Sequence, residues 1–100
     1  MRFVISQRAE TNLISVADYL NPISPQGARS VSRVISATLH LLRHNPRLGL
    51  PTSEPNIFYL PTKKHGYLVY FERLPAQITV VAIRHHAQER LFESEKGLEL

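Results

Sequence analysis

Apolar residues recur every three or four positions over Gln7–Leu20, at Ala9, Leu13, Val16, Ala17 and Leu20. Glu10, Thr11, Ser15 and Asp18 fall largely off that stripe, so the segment predicts an amphipathic helix. Ser6 is placed to cap its start, and Asn21-Pro22 to stop it, because the residue before a proline is pushed out of the α region. Ser24-Pro25 restarts the helical pattern, with proline in the first turn where its missing N–H is no loss. Ala28, Val31, Ile35, Leu39 and Leu42 form the second stripe, which Val34 and Leu41 widen. Arg43 and His44 fall in its last turn, where positive charge complements the helix dipole, and Asn45-Pro46 ends it.

Strand-like patterns flank this helical pair. Arg2–Ile5 is a short first strand, and Asn56–Leu60, Tyr67–Glu72 and Gln77–Arg84 are three more, rich in β-branched and aromatic residues. Residues 61–66 and 73–76 are short enough to be hairpin loops. Residues 46–55 hold three prolines and a glycine and read as an ordered loop. The expected order is β-α-α-β-β-β: an α+β two-layer domain with a helical hairpin packed on an antiparallel sheet. One domain is expected over residues 1–90, followed by an acidic tail over 91–100. After Ala87 the pattern weakens and leaves helix and disorder both open.

Composition narrows the classes. A 100-residue chain with 43% apolar residues supports one modest core, burying roughly 65% of its unfolded surface. The absence of cysteine excludes disulfides, thiolate metal sites and thiol nucleophiles. No apolar run approaches membrane-spanning length, and Met1–Ser6 turns polar too early for a secretory signal. Twelve bases against eight acids give +4. Eleven bases and five acids in residues 1–90 leave that part at +6, while the last ten residues carry −2. A basic body points to an acidic partner, nucleic acid or protein; the plain alternative is a solvated basic surface.

Four stretches carry a family resemblance: Ala9–Leu20 (AETNLISVADYL), Asn45–Pro51 (NPRLGLP), His65–Phe71 (HGYLVYF) and Ile78–Arg90 (ITVVAIRHHAQER). In that order and at that spacing the chain resembles the ParE/RelE toxin superfamily, and its ParE branch in particular. The resemblance implies a cytoplasmic toxin of a type II toxin–antitoxin pair, held inactive in a hetero-oligomeric complex with a cognate antitoxin. ParE-like members poison DNA gyrase. RelE-like members cleave mRNA on the ribosome, which is the alternative reading; fold alone does not choose between them. Family members commonly carry an arginine early in the second strand. Ile57–Pro61 offers none, so no phosphate contact carries over there. No cofactor, metal or membrane partner is implied.

The candidate residues are mostly cationic. Lys63, Lys64 and His65 lie between the second and third strands; Arg84, His85, His86 and Arg90 lie at or beyond the end of the fourth. An antiparallel meander brings these two groups to one end of the sheet. For target or antitoxin binding the candidates are Lys63, Lys64, His65, Arg84, His85 and Arg90, with Arg29 and Arg33 on the second helix. A RelE-like ribonuclease would use Lys63 or Lys64 on phosphate, Arg84 for charge stabilisation and His85 or His86 as acid or base. The plain alternative is a solvated edge. Adjacent in an extended strand, His85 and His86 are expected on opposite faces. His40 and His44 have helical metal-ligand spacing but no evident carboxylate or cysteine partner, and read as solvent-side residues. Of Tyr67–Glu72, one alternating set must be core, which leaves few aromatics for base stacking.

Overall fold

Both helices form where the periodicity places them, and both caps are those the sequence offers. The computed structural model describes residues 1–88, so Arg90 and the 91–100 segment lie outside the described residues. Helix α1 spans Gln7–Leu20, with Ser6 Oγ accepting from the Ala9 N–H at 3.1 Å. Helix α2 spans Pro25–His44, with Ser24 Oγ accepting from the Gly27 N–H at 3.0 Å. Each cap satisfies one of the orphan donors of a first turn.

The strands are β1 (Arg2–Ile5), β2 (Leu50–Pro51), β3 (Ile57–Pro61), β4 (Tyr67–Leu74) and β5 (Gln77–His85), followed by a 3₁₀ turn over His86–Gln88. They form one five-stranded sheet in the order β1-β5-β4-β3-β2. Two features depart from the sequence reading. The sheet is mixed rather than antiparallel, because β1 joins β5 in parallel, Phe3 opposite Ile78 and Ile5 opposite Val80. The helical pair carries the chain away from β1, and the later meander returns beside it pointing the same way. The 46–55 loop also contributes a strand: Leu50 and Pro51 pair with Tyr59 and Phe58. Proline is tolerated there because β2 is an edge.

The helical layer packs on one face. Ala9, Val31, Ile35 and Leu42 meet Tyr67, Val69, Phe71, Ile78, Val80 and Ile83 in the main core. Leu68, Tyr70 and Ala82 form a smaller cluster, joined by Ile57, Tyr59 and Val81. The α2 stripe is narrower than expected: Leu41 is 48% exposed, and Thr38 is buried instead, its hydroxyl donating to the Val34 carbonyl at 2.9 Å.

A bulge in β5 sets which residues face the helices. Phe71 opposes Val80 but Tyr70 opposes Ala82, leaving Val81 as the extra residue. Beyond it the alternation is reversed, so Ile83 joins the main core and His85 lies opposite Tyr67.

Candidate functional site

The end of the sheet where β4 begins and β5 ends is organised by a tight turn. Thr62 N–H donates to the Tyr67 carbonyl at 2.9 Å, and the Thr62 hydroxyl donates to the Lys64 carbonyl at 2.6 Å. The turn is completed by two left-handed residues, His65 (φ 71°) and Gly66 (φ 72°). Glycine adopts this freely, whereas histidine needs support. His65 Nε2 has it in a 2.9 Å hydrogen bond with Ser30 Oγ of α2.

Gly66 is also where the second group of candidates arrives. Its carbonyl accepts from the His86 N–H at 2.6 Å. A β-carbon at Gly66 would lie 2.5 Å from His86 Cδ2 and 3.3 Å from His85 Nε2. The expectation that His85 and His86 face apart is corrected: their ring centroids are 4.7 Å apart, tilted by 32°. The chain leaves the strand at His86 and enters the 3₁₀ turn, so strand alternation no longer applies. His85 is held edge-on to Tyr67 at 5.1 Å, and its Nδ1 accepts from the Ala87 N–H at 3.1 Å. That bond places the proton of a neutral His85 ring on Nε2.

The cations themselves separate. Arg84 lines an open groove of about 740 Å³ between α1 and β5, together with Asn12, Ser15, Tyr19, Tyr67 and His85. Val16, Leu20 and Ile83 supply the apolar part of its lining. Lys63 lines a different groove of about 710 Å³ along α2, with Arg33, His40, Leu41 and Pro61. Lys64 and Arg29 are exposed. The meander thus brings His85, His86 and the His65–Gly66 turn together, as expected, but Arg84 and Lys63 face different grooves. Lys63 and Arg84 do not share one groove, whereas Lys64, the other lysine of the ribonuclease reading, lies exposed in the turn between β3 and β4.

Three members of the α1–β5 groove give it its electrostatics. The Nε of Arg84 is buried and has no hydrogen-bond partner among the described residues. Burial pushes the Tyr67 phenol above its ordinary value of 10.0, with the nearby Tyr19 phenol adding to the rise. Asn12 Oδ1 accepts from the Ile83 N–H at 2.9 Å, satisfying the edge of β5 beyond the end of β1. Asn12 and Ser15 lie within the Ala9–Leu20 stretch but carry no charge or catalytic chemistry that singles them out in the sequence. They are found only because α1 crosses β5 at that point.

The two helical histidines on α2 are both exposed, with ring centroids 4.3 Å apart. His44 Nδ1 lies 3.0 Å from the His40 carbonyl and so donates to it. No group of three or more metal-ligating side chains occurs among the described residues. Nor is any helix among them long and apolar enough to cross a membrane.

The frame of the site is thus a helical hairpin on one face of a small mixed sheet, with two grooves beside the hairpin and cations in each. The family model for the ParE toxin of type II toxin–antitoxin systems matches residues 3–90, and the chain belongs to that family. The fold is also that of a solved chain described as the chromosomal ParDE toxin–antitoxin system from P. aeruginosa. That match has a TM-score of 0.74 at 19% identity and covers 85% of this chain and 95% of that one. No curated protein matches the chain in sequence.

Proposed function

We propose that the chain is a ParE-like poison of DNA gyrase that acts in the cytoplasm by binding and is neutralised by a cognate antitoxin. The observation that carries this reading is the division of the cations between two grooves. General acid–base cleavage of RNA needs a phosphate-binding cation, a charge stabiliser and a proton donor converging on one phosphodiester. Lys63 and Arg84 line separate grooves instead, and Lys64 is exposed on the turn between β3 and β4. The groove along α2 is mainly apolar and the α1–β5 groove mixes apolar and polar side chains, each with one or two cations, a lining suited to protein contact. Membership of the ParE family supports the same reading.

A supercoiling assay with purified, antitoxin-free protein tests it. Inhibition of gyrase with accumulation of cleaved DNA is expected, reversed by adding the antitoxin. No effect at large molar excess, from protein shown to be folded, overturns the reading. Ribosome-dependent mRNA cleavage that disappears in the R84A/H85A double variant would establish the ribonuclease reading in its place.

A further inference from the structure

We propose that residues 89–100 fold back over the face of the sheet that the helices leave uncovered, with Leu91 and Phe92 seated on Leu68 and Tyr70. The two faces of the sheet hold separate clusters. The main core lies under the helices and takes Tyr67, Val69 and Phe71 from β4. The alternate residues Leu68 and Tyr70 belong to the opposite face, with Ala82, Ile57, Tyr59 and Val81. Among the described residues this second cluster takes no member from α1 or α2. Yet Tyr70 is 2% exposed and Ala82 has no exposed surface, values of an interior rather than of a sheet face in water. The rings of Tyr59 and Tyr70, with centroids 5.8 Å apart, make the centre of this face aromatic. An apolar face of this kind calls for a covering layer.

Position and chemistry select the chain's own following segment as that layer. Strand β5 leads into the 3₁₀ turn His86–Gln88, and the His86 N–H donates to the Gly66 carbonyl, so the chain leaves the sheet beside the start of β4. Leu68 and Tyr70 lie about 7 and 13 Å along β4 from Gly66. An extended chain starting at Gln88 reaches up to about 10 Å at Leu91 and about 13 Å at Phe92. These two apolar residues therefore come level with that pair. Leu91, Phe92, Leu98 and Leu100 are set among Glu89, Glu93, Glu95 and Glu99, an alternation of apolar and acidic chemistry that suits one side on a sheet and one in water. The segment carries −2 against +6 for residues 1–88, and the turn beside which it begins holds Lys63 and Lys64. That charge favours the chain's own acidic segment over a second copy, whose basic body would approach against like charge.

NMR and chemical denaturation of the full chain test this. In wild type, nuclear Overhauser contacts are expected from the Phe92 ring to Leu68 or Tyr70. They remain within one molecule when isotope-labelled and unlabelled chains are mixed. L91E/F92E is expected to raise the unfolding equilibrium constant by at least about 30-fold, because it sets two charges where two apolar side chains were buried. I14E puts the same charge on α1 at a side chain that is 62% exposed, and stays within about 3-fold of wild type. If L91E/F92E does not fold, F92A takes its place, with a rise of about 10-fold or more. Contacts between molecules instead of within one would make the face an interface between copies and overturn the proposal. Random-coil shifts over residues 89–100, or Leu91 and Phe92 variants as stable as wild type, overturn it as well.

Discussion

The Arg73 guanidinium lies 4.0 Å from the ring centroid of Phe58, stacked over its face. The same group donates from Nη1 to the Pro46 carbonyl at 2.7 Å and to the Leu48 carbonyl at 3.0 Å. One side chain of β4 therefore ties the turn after α2 to β3. The Asn45–Pro51 stretch, one of the four that carry the family resemblance, thus has a structural role. It supplies carbonyls to Arg73 and a glycine where the chain must pass Phe71.

Replacing Arg73 with methionine keeps the stem and removes these bonds. Charge-assisted hydrogen bonds and the cation–π contact together predict a loss of about 2–3 kcal/mol. Arg73→Lys should recover less than half, since an ammonium cannot reach two carbonyls and the ring face together. Urea denaturation reads both values. An unchanged midpoint for Arg73→Met would show that the clamp is decorative.

Two glycines should differ sharply in tolerance. Gly49 has φ 121°, and a β-carbon there would lie 2.6 Å from Cζ of Phe71, which is fully buried. Gly66 has φ 72°, and its β-carbon would meet the rings of His86 and His85, of which His86 is exposed and able to swing away. Gly49→Ala is expected to cost about 3 kcal/mol or more, from backbone strain plus overpacking, and Gly66→Ala about 1–2 kcal/mol. Thermal melts of the two variants check the order; equal losses would contradict the packing argument.

Asn12→Ala leaves the Ile83 N–H without its acceptor at a half-buried edge. A loss of about 1–3 kcal/mol follows, with faster amide exchange at Ile83 as the local sign. Asn12→Asp keeps an acceptor oxygen and should retain most of the protection. Unchanged exchange in Asn12→Ala would mean that water replaces the side chain at no cost.

Tyr67 provides a pH test. Burial, then the neighbouring Tyr19, raises its folded-state value above 10.0. The unfolded chain therefore releases this proton first as pH rises. Stability from this group is complete below pH 10.0 and falls between that value and the higher folded one. Near-ultraviolet titration should show a late phenolate component that disappears in Tyr67→Phe and moves down in Tyr19→Phe. A Tyr67 component at the ordinary tyrosine value would refute the burial argument.

The helices are legible in the chain because what specifies them is local. Ser6 and Ser24 bond donors three residues ahead, and apolar spacing marks the buried stripe within a single window. The β3–β4–β5 meander is legible for a similar reason, since its loops are too short to permit another arrangement. The meeting of the Gly66 turn with His85 and His86 follows from that meander alone. Tertiary structure decided everything that depends on partners far apart in sequence. The parallel seat of β1 beside β5, the pairing of Leu50 and Pro51, and the exposure of Leu41 come from packing between elements that no local pattern encodes. The extra residue Val81 reverses the alternation of β5, which a nearly unbroken apolar run cannot announce. The separation of Lys63 from Arg84 has the same origin. Charge along a chain places cations at one end of a sheet, but the helices packed above it divide that end into two grooves.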